Sequence, residues 1–185
     1  MSHITDVKLV GRFSEIDKKL WIYPYGPGTV LVLVYFDTDE KLQEFYRGIK
    51  AACGNKTEEE ILCLVYKLVR ERMKPDAEGK FIDELVKNQG KYGDCGRVIE
   101  LGEFIDNAAT CFIYALVCGV VLQRLIIDGL LKGRVHIEIN EGERGKHAWC
   151  VYSNDKEVIL DPALKFYGER NSPEAKWVYT LPDIA

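Results

Sequence analysis

No run of apolar residues in this 185-residue sequence is long enough to cross a membrane. The longest, residues 111–122 (CFIYALVCGVVL), stops at Gln123 and Arg124, whereas a spanning helix needs about 20 apolar residues. A buried core helix is the expectation, and no membrane partner. Basic runs are missing too. With 25 Lys and Arg against 29 Asp and Glu, the formal charge of −4 supplies no concentrated cationic surface, so nucleic acid is not expected as a partner. The opening residues, MSHITDVKLVGRF, lack the charged start, apolar centre and small-residue cleavage site of a secretory leader. That favours the cytoplasm, although secretion without a leader is compatible with the sequence. The six cysteines, at 53, 63, 95, 111, 118 and 150, include no CxxC pair, which removes the commonest spacing of a structural zinc site. Without a leader, reduced thiols are expected rather than disulfides. Internal repeats and low-complexity segments are also missing.

What is there suits one domain over residues 1–185, long enough to bury a real core. Residues 1–55 form a β/α amino-terminal extension in this reading, and residues 56–185 the catalytic core. Residues 7–13, 20–25 and 29–36 are strand candidates; the stretch 30–36 is apolar enough for a strand covered on both faces. Helical spacing follows over residues 39–52, with Leu42, Phe45, Tyr46 and Ile49 on one side. Thr57 and Glu60 match a capping box opening a second helix, and residues 80–88 a third. Residues 97–105 carry no assignable pattern. Beyond the apolar helix, residues 134–140 alternate as a half-buried strand, residues 147–152 and 157–161 continue an antiparallel meander, and residues 175–180 are a fourth candidate strand. A helix followed by such a meander argues for an α+β architecture.

Three short segments carry chemistry when taken together. Cys111 opens the apolar helix, with Asp106, Asn107 and Thr110 as candidate caps just before it. Free N–H groups and the positive dipole end there favour thiolate over thiol. His147 and Trp149 share one face of a strand, and Asp161 closes the next strand at Pro162. A thiolate attacks a carbonyl, an imidazole moves its proton, and a carboxylate holds the imidazole's tautomer. Cys111, His147 and Asp161 are therefore the predicted catalytic residues. The backbone N–H of Cys111 is a natural oxyanion donor, and Asn107 is either a second donor or a helix cap.

The same segments resemble the transglutaminase-like superfamily, which shares the papain-like fold. The likeness lies in Cys111-x-x-x-Ala115, Leu122 with Arg124, His147-Ala148-Trp149 and Asp161-Pro162, over residues 100–166. The chain departs from the family pattern in Ala109-Thr110 before the nucleophile and in residues 128–134 after the helix, which marks a divergent member. The resemblance implies a central helix bearing the nucleophile, packed on an antiparallel sheet. It also implies thiol acyl transfer at amide bonds of a protein or peptide substrate, with no metal or organic cofactor. Trp149 would shield the reacting acyl group, or else be plain core. Water as acceptor gives a protease, amidase or deamidase, which the small size favours; an amine gives a protein-glutamine transglutaminase. A catalytically inactive binding module on the same fold is the non-enzymatic alternative. Cys95 is the rival nucleophile and His136 the rival base, the latter expected to face solvent; Cys118 is expected in the core.

Overall fold

The computed structural model describes residues 5–12, 19–25, 28–76, 78–88, 97–142, 145–176 and 179. It mixes helix and sheet, as an α+β chain does. In chain order come β1 (Thr5–Arg12), β2 (Lys19–Tyr25), β3 (Gly28–Val34), α1 (Glu40–Cys53), α2 (Glu58–Arg72), β4 (Lys74–Pro75) and α3 (Lys80–Asn88). Then follow β5 (Arg97–Glu100), a 3₁₀ turn (Leu101–Phe104), β6 (Ala108–Ala109) and α4 (Cys111–Ile127). The chain continues through β7 (Arg134–Gly142), β8 (Gly145–Ser153), β9 (Glu157–Asp161), β10 (Phe166–Glu169) and α5 (Pro173–Lys176).

A helix that is apolar all round has to be covered all round. Residues 112–122 and Leu125 of α4 are buried without interruption. Strands β7, β8 and β9 lie along one flank of α4 and α2 along another. Each Leu, Ile, Val or Phe taken out of water here contributes about 1.5–3 kcal/mol, so α4 is the centre of the core. Cys118 is fully buried in it, as expected.

The main sheet is antiparallel throughout, in the order β1-β7-β8-β9-β10. The amino-terminal extension divides between two sheets. Strand β1 joins the edge of the main sheet through β7, while β2 and β3 form a separate sheet completed by β5 in parallel with β3. The expected double cover of residues 30–36 is only partly met: Val32 and Val34 are buried, whereas Leu33 and Tyr35 are half-buried.

Strand β7 departs from its sequence pattern in the opposite sense. Val135 and Ile137 join the main core, but His136, Glu138 and Asn140 on the other face are buried as well. Alternation predicted solvent on that side. A second cluster of Trp149, Val151, Ile159, Ala175 and Tyr179, supplied partly by the chain after β10, covers this face of the sheet instead. Its residues 175–176 belong to α5 rather than to a fourth strand; residues 177–178 and 180 of that predicted strand lie outside the described residues. The strand that does complete the meander is β10, paired to β9 with Phe166 opposite Asp161.

The approach to Cys111 is pinned to the end of α2. Strands β4 and β6 pair in parallel, Lys74 with Ala108 and Pro75 with Ala109. Arg72 grips Asp106 through both carboxylate oxygens, and the Tyr114 hydroxyl donates to the Met73 carbonyl at 2.8 Å. Asp106 sits at φ 65°, a left-handed conformation costly for a residue with a side chain. The Arg72 clamp and the donation of the Asp106 N–H to the Arg72 carbonyl at 2.8 Å offset that cost.

Candidate active site

Thr110 is the N-cap of α4, in extended conformation, and Cys111 is the first helical residue. The Thr110 side chain makes no capping bond; its Oγ1 is buried without a partner. Thr110 therefore does not supply the side-chain acceptor that an N-cap residue usually gives to a helix start. A thiolate at Cys111, or an oxyanion formed on it, would meet the positive end of the helix dipole.

That helix end lies beside the start of β8. Cys111 Sγ is 4.0 Å from the Lys146 carbonyl oxygen and interacts with the Ala148 backbone and the His147 side chain. His147 Nε2 meets Asp161 Oδ2 at 2.6 Å, which leaves Nδ1 as the ring nitrogen for the thiol. The three predicted catalytic residues are thus brought together, with the imidazole between thiol and carboxylate. Cys150 pairs with Leu160, so one step further along Asp161 stands opposite Trp149 and His147 reaches it diagonally. Directly opposite His147, on β7, is Asn140.

Burial grades across the triad. Asp161 is 1% exposed, the His147 side chain 18%, and Cys111 is half-buried. The carboxylate is sealed while the thiol and ring keep a face toward solvent. Burial pushes the Cys111 thiol up, but the hydrogen bond and charge of His147, with the Ala148 backbone, outweigh it and hold the thiol below its ordinary value. Burial pushes His147 down, and its bonds to Asp161 and Cys111 outweigh this and carry it up to about 9. Opposite shifts on adjacent acid and base favour thiolate and imidazolium at neutral pH.

Trp149 is fully buried and lies beneath the imidazole, with ring centroids 5.9 Å apart and planes 26° from parallel. Its indole N–H donates to Glu138 Oε2 at 3.1 Å. It supports the ring from below. Asn107 is engaged elsewhere: its Nδ2 donates to the Glu103 carbonyl at 2.9 Å, closing the turn after the 3₁₀ helix. It also lines an open cavity of about 740 Å³ with Lys41, Phe45, Arg47 and Arg72, which no triad residue lines. Thr110, three residues later, is the cap of α4, so the cap role falls to it and not to Asn107.

His136 is buried, contrary to the solvent-facing position expected of it, and bonds Glu138 Oε1 at 3.1 Å. Glu138 also receives Arg170 Nη2 at 2.6 Å. Burial pushes the Glu138 carboxyl up, but the bonds from His136 and Arg170 outweigh it and hold it below its ordinary value. Because the folded state lowers this pKa, the stabilisation is present at neutral pH and is lost as pH falls through the carboxylate range. Replacing Glu138 by Ala would leave the buried Arg170 guanidinium with Glu157, at 2.7 Å and partly exposed, as its remaining carboxylate, and would strip the His136 ring and the Trp149 indole N–H of their partner. A loss of about 3–5 kcal/mol is expected in urea unfolding at pH 7, narrowing at acid pH; equal stability of the two proteins at pH 7 would show the network to be slack.

Sequence reasoning did not find Glu138, Arg170, Tyr179 or the Leu164 N–H, which donates to Asp161 Oδ1 at 3.1 Å. The polar position 138 between buried Ile137 and half-buried Ile139 read as solvent-facing, and nothing local announces a partner from far along the chain. The rival nucleophile Cys95 lies outside the described residues. Among those described, no helix is long and apolar enough to cross a membrane, and no group of three His, Cys, Asp or Glu residues is placed to hold a metal ion. Comparison of the chain with family models, with curated proteins and with solved structures returned no match.

Proposed function

We propose that the chain is a cysteine-dependent acyltransferase or hydrolase acting on amide bonds, with a papain-like, transglutaminase-like arrangement of Cys111, His147 and Asp161. The observation that carries this reading is the imidazole held between thiol and carboxylate, with Nε2 on Asp161 at 2.6 Å and the thiol on its other side. A core cysteine has no need of such a partner. Cys118 and Cys150, both fully buried, show the contrast: burial pushes each thiol up, and the nearby charge, Asp161 for Cys118 and Glu138 for Cys150, pushes the same way.

The Cys111 thiolate attacks the amide carbonyl carbon, forming the C–S bond while the carbonyl oxygen takes the negative charge. The positive end of the α4 dipole, at Cys111, would stabilise that charge. His147 Nδ1–H gives its proton to the leaving nitrogen as the C–N bond breaks, which releases an amine and leaves a thioester. The now neutral His147 takes a proton from water or an amine as that acceptor attacks. The tetrahedral adduct then collapses, the C–S bond breaks, and Cys111 leaves as thiolate beside a restored imidazolium. Asp161 keeps the ring oriented through both halves.

The test is acyl trapping. Incubation with an activated acyl ester is expected to add one acyl mass at Cys111, mapped by peptide mass spectrometry. Loss of the adduct in buffer marks a hydrolase, and faster loss with added primary amine marks a transferase. A stable protein that never acquires the adduct at Cys111 is the result the inactive binding module predicts, and it would remove the enzymatic reading.

A further inference from the structure

We propose that Tyr179 is a positioning residue of this site, its hydroxyl holding the same Asp161 oxygen that orients His147 and its backbone anchored by Arg170. This rests on the proposed acyl-transfer reading for its catalytic consequence and on the geometry alone for its physical content. Tyr179 is 1% exposed, and its hydroxyl donates to Asp161 Oδ2 at 2.6 Å. His147 Nε2 shares that oxygen at 2.6 Å, and the Leu164 N–H takes Oδ1. The carboxylate is therefore held at three points, one of them the catalytic ring.

Tyr179 is itself part of a closed circuit. Arg170 Nη1 donates to the Tyr179 carbonyl at 3.1 Å, and Arg170 Nη2 donates to Glu138 Oε1. Glu138 Oε2 accepts from the Trp149 indole, and Trp149 lies against both rings, His147 on one side and Tyr179 edge-on at 5.0 Å. From His147 through Asp161, Tyr179, Arg170, Glu138 and Trp149, each step is a contact and the last returns to the imidazole. Motion of the ring or the carboxylate would have to break one of these. The chain after β10 thereby becomes part of the apparatus that orients the base.

The shared oxygen sets the sign of a test. A donor on a carboxylate oxygen draws off negative charge, so the Tyr179 hydroxyl weakens the hold of Asp161 on the imidazolium proton. The other groups facing the pair are Cys111 and Cys118 from α4, Tyr66 from α2, and Glu138 and Arg170, which are paired with each other. Burial pushes Cys118 and Tyr66 up, so both stay protonated and do not compete for the change.

Tyr179→Phe keeps the ring and its packing and deletes only the donor. With histidine labelled at Cε1 and followed by NMR, three histidines give three resonances, and His147 is assigned by its loss in His147→Gln. The His147 midpoint, about 9 in the parent protein, is expected to move to higher pH by about half a unit or more. Placing 3-fluorotyrosine at position 179 retains the fold and strengthens the donor, so it should move the midpoint the other way. Burial, followed by the charge and bond of Asp161, pushes the Tyr179 phenol up, which keeps the fluorinated ring protonated over this range. Opposite shifts from the two variants support the role. A midpoint that stays at the parent value in both, even with a lowered melting temperature, overturns it and leaves Tyr179 as packing. If Tyr179→Phe does not fold, the fluorinated protein decides alone. No substrate enters this measurement, so it separates failure of the Tyr179 role from failure of acyl transfer itself.

Discussion

Cys111→Ala is expected to abolish acylation and to leave the fold standing. In the proposed reaction the Cys111 sulfur forms the new bond, so no residual pathway runs through the same centre, and the loss should reach the limit of detection, about 10³-fold or more. Alanine is the best helix former and replaces a half-buried side chain at the first helical position, so α4 itself is not at risk. Far-UV circular dichroism and the urea midpoint should stay close to the parent values while the acyl adduct disappears. An adduct that persists in Cys111→Ala would move the nucleophile elsewhere, with Cys95 the first residue to test.

Asp161→Asn should be nearly as damaging, for a different reason. In the parent protein Asp161 Oδ2 accepts from both His147 Nε2 and the Tyr179 hydroxyl, and Oδ1 accepts from the Leu164 N–H. An asparagine that keeps its oxygen toward Leu164 turns its NH₂ toward His147, and that group can only donate. Nε2 must then accept, which places the ring proton on Nδ1, facing the thiol. The imidazole in that tautomer cannot take the thiol proton. A drop of about 10³–10⁴-fold in the rate of acyl-adduct formation at pH 7 follows, with little change in volume or packing. A rate within a few fold of the parent would mean that Asp161 only shapes the strand end.

How much of this was legible in the sequence depends on whether the cause was local. The capping box of Thr57 and Glu60 is present, because both of its bonds join residues one turn apart. The apolar helix, the meander strands over residues 147–152 and 157–161, and the three triad positions were likewise read from short segments. The pairing of β4 with β6 was not visible, since two-residue strands leave no periodicity. Residues 97–105 resisted assignment because they change from strand to a 3₁₀ turn within a few positions.

At residues 175–176 a local helix-start signal was passed over. Trp177, Val178 and Tyr179 suggested a strand, yet Ser172 and Pro173 carry a helix-start signature. The Ala175 N–H does bond Ser172 Oγ, at 3.3 Å. The buried polar face of β7 was hidden by tertiary packing instead. Glu138 looks exposed until Arg170 and Trp149, neither of them a near neighbour in sequence, are found against it. Asn107 is the reverse case: a residue type and position that suited an oxyanion donor, drawn aside by the carbonyl of Glu103.

The central claim is that His147 activates Cys111, and native alkylation tests it most directly. The reduced protein is treated with limiting iodoacetamide from pH 5 to 9, each cysteine is mapped by mass spectrometry, and His147→Ala is run in parallel. In the parent protein Cys111 should react at pH values well below the ordinary thiol pKa of about 8.5, ahead of every other cysteine, because His147 holds its thiol down. In His147→Ala burial and the Asp161 charge still push that thiol up, opposed only by the Ala148 backbone and the start of α4, so its onset should move to higher pH. Its rate at pH 7 should fall by about 30-fold or more. A Cys111 that is inert, or that reacts alike with and without His147, would contradict the account.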